Sequence, residues 1–490
     1  MLFLTCGVRK PDPLQAYLDE AEAAGTWNGV AFVAEKGEVV IEHGTSPTSS
    51  TGIPRYPANI AFPIASVSKT LTATAILQLV EDGKLSVDAQ VASILDGFPY
   101  PDVTIRYLLS HTSGLPPYNA YLAETMAAHP GTVFRNADLL SAMISHPVAL
   151  RYQPGSDGNY DNVNYLVLAL VIEKCAGVPY QQYISRHILK PAGMRDTRFM
   201  PLVDLLRDST VVTPRVFPHL YSVSTISALA IPYVVAYWSA YQFEGFGDYV
   251  STAHDLLRYH QALGDGRLVD TMLLRRAYAP VRLADGRDNP GRFGLGWEVD
   301  ADAGGKLVVS HPGASIGLSI AFVRDLTNDR VIIVFDNGHN SAGQIAAALG
   351  RLHEGEVVEA PRRDLTRYLG NLLLRVGQDS ALGAFDRLCA DSAHWATGEG
   401  ELNLLGYDFM GRPGSFRLPV KHHYTEAAAV FRLNTLLHPE SWNVWDSYGE
   451  ALVALGYRDS AIAMYRRALE LKPGNTSSTA ALQRLRGTRR

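Results

Sequence analysis

The chain has 490 residues, of which 47% are hydrophobic and 19% charged, with a formal net charge of -5. That length suggests two or three domains with a large core, and the low charge fraction argues against a long disordered region. The acidic balance lacks the basic footprint of a nucleic-acid binder, and three scattered cysteines (Cys6, Cys175 and Cys389, with no C-x-x-C pair) argue against a disulfide framework or a structural zinc site.

The N-terminal MLFLTCGVRK carries an apolar run too short for a secretory signal. The sequence as it stands reads as cytosolic, or periplasmic if the N-terminus is truncated. Residues 29–43, GVAFVAEKGEVVIEH, place two apolar β-branched runs around Lys36-Gly37 and predict a hairpin. Residues 70–82 put Leu71, Ile76, Leu79 and Val80 on one face and are followed by Gly83, which predicts an amphipathic helix with a glycine cap. A second helix is predicted over 162–177, again ending in glycine.

From Val216 to Phe243 there is no Asp, Glu, Lys or Arg. The stretch is long enough to span a bilayer. Its prolines, hydroxyls and tyrosines, with charged sequence on both sides, favour a buried or pocket-lining segment instead. Beyond 293 the runs GLGWEV, KLVVSH, LSIAFVRD and RVIIVFDN predict four strands. A hairpin, a long helical middle and a strand meander together predict an α+β domain over 1–355. Its antiparallel sheet joins both ends of the domain around an inserted helical region.

EVVEAPRRDL, spanning 356–365, reads as a linker, and 366–490 as an all-α domain. There Ala427 and Ala461, Phe431 and Tyr465, and Pro439 and Pro473 are each 34 residues apart. This period, with WDSYGEAL at 445–452, resembles the tetratricopeptide repeat. About two repeats are legible, interrupted by GRPGSFRLPVKHH. A short platform of this kind implies a protein partner or plain packing on the catalytic domain. The paired His422-His423 has no third ligand nearby. The basic tail QRLRGTRR reads as a solvated helix end.

Chemistry concentrates in FPIASVSKTL, 62–71. A lysine three residues after a serine shares its helical face, so the Lys69 amine can reach the Ser66 hydroxyl. An alkoxide at a helix N-terminus also feels the positive end of the dipole. A lysine among apolar groups loses charge readily and can act as a base. By itself S-x-x-K is weak, since Ser66 as a helix N-cap explains it equally. Two further pieces strengthen it: Tyr160 and Asn162 at Y-x-N spacing in GSDGNYDNVNY, and SHPGASIG at 310–317 among the strands.

In this order the three pieces resemble the serine β-lactamase and D,D-peptidase superfamily, in its class C branch of related peptidases and esterases. IASVSKTLTATAILQLVEDGKL, LLSHTSGLP, FGDYVSTAHDL and FGLGWEV carry the likeness over roughly residues 15–345. The resemblance implies Ser66 as acylated nucleophile, Lys69 as its base, Tyr160 as a second proton relay and Asn162 as a substrate contact. It also implies an oxyanion hole from the N–H groups of Ser66 and Ala314, and no metal or organic cofactor. His111 is read as structural, and Asp161 either as orienting Tyr160 or as ordinary loop chemistry.

Gly313-Ala314-Ser315-Ile316-Gly317 also matches G-x-S-x-G, but that elbow needs a helix after it. Strand-like sequence follows, so Ser315 reads as a turn residue. The strand motif itself departs from the family. Where a lysine or histidine, then Ser or Thr, then Gly bind a substrate carboxylate, this chain has His311-Pro312-Gly313. Histidine is mostly neutral at pH 7 and proline donates nothing. That points to an esterase of small carboxylic esters. A β-lactamase or D-amino-acid-specific peptidase is the alternative, and an inert binding protein using the repeats a second one. Tyr221, Tyr233, Tyr237, Trp238 and Tyr241 are candidates for an apolar acyl pocket.

Overall fold

A computed structural model describes residues 12–45, 56–129, 131–206, 208–301, 304–411 and 421–487. The N-terminal run with Cys6, the last residues of the basic tail and most of the 411–423 insertion lie outside the described residues.

Asp12 caps the first helix, α1 (Pro13–Ala24), by accepting from Leu14 N. The predicted hairpin follows as β1 (Gly29–Glu35) and β2 (Glu38–Gly44). Its two-residue turn takes positive φ at Lys36 (53°) and Gly37 (81°), the conformation that matches strand twist. Four more strands come from the far end of the domain: β3 (Glu298–Ala301), β4 (Leu307–Ser315), β5 (Leu318–Asp325) and β6 (Arg330–Asn337). The antiparallel order is β2-β1-β6-β5-β4-β3. The sheet thus joins both ends of the domain, as expected.

Both faces of the sheet are covered. Val30, Phe32, Ile333 and Phe335 join the core beneath the helical region. Ala31, Val33, Ile332 and Val334 pack against α1 and a helix at Ala342–His353. Each fully buried Val, Ile or Phe contributes about 1.5–3 kcal/mol, set against chain entropy.

The helix predicted over 70–82 is α2 (Ser68–Glu81), and it is not amphipathic. Every residue from Ser68 to Leu77 is buried. Thr72 bonds the Tyr180 hydroxyl at 2.6 Å and Gly245 O at 2.7 Å, and Thr74 meets the Tyr259 hydroxyl at 2.6 Å. The polar positions that look solvent-facing in sequence are thus paid for by internal partners. The second predicted helix is α3 (Val163–Ala176), capped by Gly177 at φ 68°.

GLGWEV is only partly strand. Gly296 approaches α2 so closely that a Cβ there would lie 2.2 Å from the Ala73 Cβ. The uncharged 216–243 stretch holds two-residue strands and one eight-residue helix, α4 (Pro232–Ser239). Among the described residues no single helix is long and apolar enough to cross a membrane.

Beyond the sheet domain the chain is helical apart from a short parallel pair, Arg363–Asp364 with Trp395–Ala396; the helices are Leu365–Val376, Gln378–Cys389, Glu399–Phe409, Tyr424–Leu437, Trp442–Ala454, Arg458–Leu471 and Thr476–Gly487. Phe431 lies over Gly406, and Tyr465 over Gly449, in the same way. A Cβ on either glycine would meet the facing ring at 2.4 Å and 2.9 Å respectively.

Candidate active site

Ser66 sits in a single 3-10 turn, Ala65–Val67, that runs straight into α2. Ala65 is held at φ 45°, a conformation that costs a non-glycine residue about 1–2 kcal/mol. Strand β4 holds this turn from the other side. Its partner β3 covers only residues 307–310, so the edge at 311–315 has no strand beside it. That edge lies against the Ser66 turn, and a Cβ at Gly313 would fall 2.5 Å from Ile64 O. Glycine is required there by backbone contact.

Lys69 is fully buried. Its Nζ lies 3.0 Å from Ser66 Oγ, 2.8 Å from Asn162 Oδ1 and 3.2 Å from Phe246 O. Among the described residues it has no ion-pair partner. Desolvation holds its pKa well below the ordinary 10.5, against the opposing pull of Asp248 and Asp161. A neutral amine has two N–H groups and one lone pair. Asn162 Oδ1 and the Phe246 carbonyl can only accept. The lone pair is therefore left for the Ser66 O–H.

Tyr160 lies across the amine, with Nζ 4.8 Å from its ring centroid. Burial pushes its phenol up, and a hydrogen bond with Ser66 partly offsets that. It is a neutral proton donor at pH 7. Its loop is pinned from beneath. His111, at φ 58°, accepts at Nδ1 from Asp161 N at 3.3 Å and Asn164 Nδ2 at 3.1 Å, and its ring lies 4.3 Å from that of Tyr160. Asn159 N donates to His111 O at 2.9 Å, and Gly155 N to Thr112 O at 2.8 Å. The HTSG loop is thus the bed of the tyrosine loop. Asp161 bonds Val163 N at 3.1 Å at the start of α3 and pairs with Arg151.

His311 is fully buried beside Tyr160 and Phe293, with Nδ1 2.8 Å from Pro312 O and Nε2 without a partner. Desolvation, with the nearby Lys69, takes its pKa down to about 3. It carries no charge at any physiological pH. Ser315 ends β4 before a two-residue turn at Ile316-Gly317 and strand β5, so no helix follows it.

Ser66, Asn162 and Ala314 open on one cavity of about 250 Å³, whose wall also includes Tyr118, Tyr237, Trp238, Tyr241, Phe243 and Phe246. Three of the five aromatic candidates from the 216–243 stretch are here. Tyr221 and Tyr233 are not. Tyr221 stacks on Phe409 of the helical tail at 4.9 Å, because its loop leaves the sheet domain to meet that tail. Tyr233 lies one turn before Tyr237 on α4 and is not part of the cavity wall. Sequence reasoning missed Tyr118, Phe243, the Phe246 carbonyl and Asp248, all remote in sequence from the serine. FGDYVST carried a family likeness but no sign that its carbonyl touches the lysine.

The Beta-lactamase family model matches residues 14–354. The chain belongs to the beta-lactamase family. Penicillin-binding protein 4* of Bacillus subtilis is 28% identical over 74% of this chain and 83% of its own. A D-aminopeptidase of Brucella canis is 26% identical over 59% of this chain and 52% of its own. A penicillin binding protein from Bacillus halodurans shares the fold, with a TM-score of 0.57 at 24% identity, covering 69% of this chain and 99% of its own. This beta-lactamase-family chain is accordingly a serine hydrolase. An inert binding protein does not fit that membership.

Proposed function

We propose that the enzyme cleaves small carboxylic esters that carry no carboxylate beside the scissile bond, through an acyl-enzyme at Ser66. The observation that supports this most is the pairing of a desolvated Lys69 with Ser66 at 3.0 Å, beside an aromatic cavity with no cation on its wall. In the first step Ser66 Oγ bonds to the carbonyl carbon as its proton passes to Lys69 Nζ. The oxyanion is received by the N–H groups of Ser66 and Ala314. Collapse breaks the bond to the leaving group, which takes a proton relayed through Tyr160. Water then attacks the acyl-enzyme by the reverse path, releasing the acid and restoring the Ser66 hydroxyl.

Buried, neutral His311 supports a preference for substrates without a carboxylate, because it cannot pair with one. A D-amino-acid-specific amidase is the second reading, favoured by the D-aminopeptidase relative. The packing of Phe431 and Tyr465 over glycines supports tetratricopeptide-like repeats in the tail, with a protein partner as their use.

The test is fluorophosphonate labelling of wild type, Ser66→Ala and Ser315→Ala, with turnover of p-nitrophenyl butyrate, nitrocefin and a D-Ala-D-Ala amide. Loss of labelling in Ser66→Ala alone, with the butyrate ester turned over best, is the expected result. Loss in Ser315→Ala alone would discard the mechanism. Preference for nitrocefin or the amide would discard the ester assignment.

A further inference from the structure

Two tyrosine hydroxyls meet at the rim of the cavity beside Ser66. Tyr118 Oη lies 3.0 Å from Tyr237 Oη, and both residues line the cavity wall. Tyr237 is 41% exposed, whereas Phe243 on the same wall is 2% exposed. The pair therefore stands at the solvent side, with the buried aromatic wall behind it. The two tyrosines come from separate elements. Tyr118 opens the helix Tyr118–Ala128, and Tyr237 sits in the last turn of α4. Each element has its own anchor. The Tyr121 hydroxyl meets that of Tyr100 at 2.9 Å, and Tyr100 donates to Val148 O at 2.8 Å. Across the cavity Val234 and Trp238 of α4 are buried in a small core with Val216 and Ile231. Just after α4, Phe134 N donates to Ala240 O at 2.9 Å and Gln242 N to Phe134 O at 2.8 Å.

Behind the hydroxyls the rings pack closely. Tyr118 meets Tyr241 and Phe243 edge to face at 5.3 Å each, and Tyr241 meets Phe243 at 5.0 Å. Those contacts exclude water and hold the wall together. The hydroxyl pair is different in kind. Water reaches it and offers either hydroxyl an equivalent partner. Such a bond favours the joined rim over a parted one by only about twofold to tenfold. The cavity it borders is about 250 Å³, below the roughly 300 Å³ at which pockets for drug-sized ligands begin. A short apolar chain is accommodated with the rim joined. A longer chain has to part the two hydroxyls, and it then leaves both facing hydrocarbon.

We infer that the Tyr118–Tyr237 hydroxyl pair is a clasp that limits the length of acyl chain admitted beside Ser66, which makes Tyr118 and Tyr237 specificity residues. The inference rests on the acyl-enzyme reading of Ser66 and adds a limit on chain length that neither the nucleophile nor His311 imposes. The weakness of the clasp is part of its role: it slows long chains without sealing the site against short ones.

The test measures kcat/KM on p-nitrophenyl butyrate and p-nitrophenyl octanoate for wild type, Tyr118→Phe, Tyr237→Phe and the double variant. Phenylalanine keeps each ring and removes only the hydroxyl. Wild type is expected to favour butyrate. Each single variant is expected to raise the octanoate-to-butyrate ratio by about twofold to tenfold, and the double variant no further, since one missing hydroxyl already breaks the pair. A merely structural role would lower both rates together and leave the ratio in place. Rates of Ser66 labelling by fluorophosphonates with ethyl and octyl chains read the same ratio without ester turnover, and the ethyl probe shows that each variant is folded. Should Tyr118→Phe fail to fold, Tyr237→Phe decides alone, because its hydroxyl is at the exposed rim. A ratio unchanged in either folded single variant, a double variant whose gain is the product of the two singles, or a wild type that prefers octanoate overturns the inference and leaves the Ser66 chemistry standing. A wild type that labels but turns over neither ester discards the ester assignment, and the two probes then decide on the clasp by the same criteria. Absence of both labelling and turnover in wild type overturns the mechanism and the inference together.

Discussion

Among the described residues Lys69 has three polar neighbours and no ion-pair partner, and its environment sets its chemistry. Because the folded value lies below 10.5, activity rises with pH as Lys69 loses its proton and reaches its plateau well short of the ordinary lysine range. A kcat/KM profile on p-nitrophenyl butyrate measures this limb. A limb that keeps climbing to about 10.5 would show that burial does not tune the amine. Lys69→Ala is expected to lower kcat by about 10²–10⁴. S-x-x-K was visible in the sequence because i and i+3 share a helical face. The desolvation that lowers the lysine pKa was not, since it comes with Phe246, Tyr160 and Tyr165, which the fold brings in from far along the chain.

Strand β4 and the Ser66 turn touch through backbone at Gly313, with no side chain between them. Gly313→Ala places a methyl 2.5 Å from Ile64 O, so the strand or the turn must shift. Overpacking of this kind costs about 1–3 kcal/mol. The expected result is a lower thermal midpoint together with slower fluorophosphonate labelling, because the displaced turn carries Ser66, the proposed nucleophile. Calorimetry and labelling rates on the same sample check it. If labelling stays at wild-type speed while stability drops, the strand edge does not position Ser66. The predicted strands LSIAFVRD and RVIIVFDN match β5 and β6 residue for residue, since turns bound them on both sides. GLGWEV misleads because its glycines serve close approach, Gly296 to α2 and Gly294 to the Ala277 carbonyl, and not strand pairing.

The helical tail reaches the catalytic cleft through one loop. Tyr221 stacks on Phe409 and packs over Gly370, while Asp408 Oδ1 lies 3.3 Å from His219 Nδ1. Arg367 donates to Ser222 O at 2.9 Å. Further along, Val216, Val234 and Trp238 form a small core with Ile316 at the tip of the β4–β5 turn. The aromatic wall of the cavity is thus tethered at two points, one of them outside the catalytic domain. Tyr221→Ala is expected to lower stability by about 1–3 kcal/mol and to raise KM more than it lowers kcat. Unfolding curves and steady-state kinetics read both; an unchanged KM would mean that the tail holds the loop without shaping the cleft.

The hairpin, the last two strands, the helix that carries Lys69, and the G-x-S-x-G sequence that fails as an elbow all follow from local pattern. Periodicity and turn chemistry act over a few residues and are written in order along the chain. Contacts between remote segments are not. Tertiary packing alone made α2 a buried helix, lowered the pKa of Lys69, left His311 uncharged and turned Tyr221 away from the cavity. Each of these depends on which groups exclude water from which others, and that is settled only when distant parts of the chain meet.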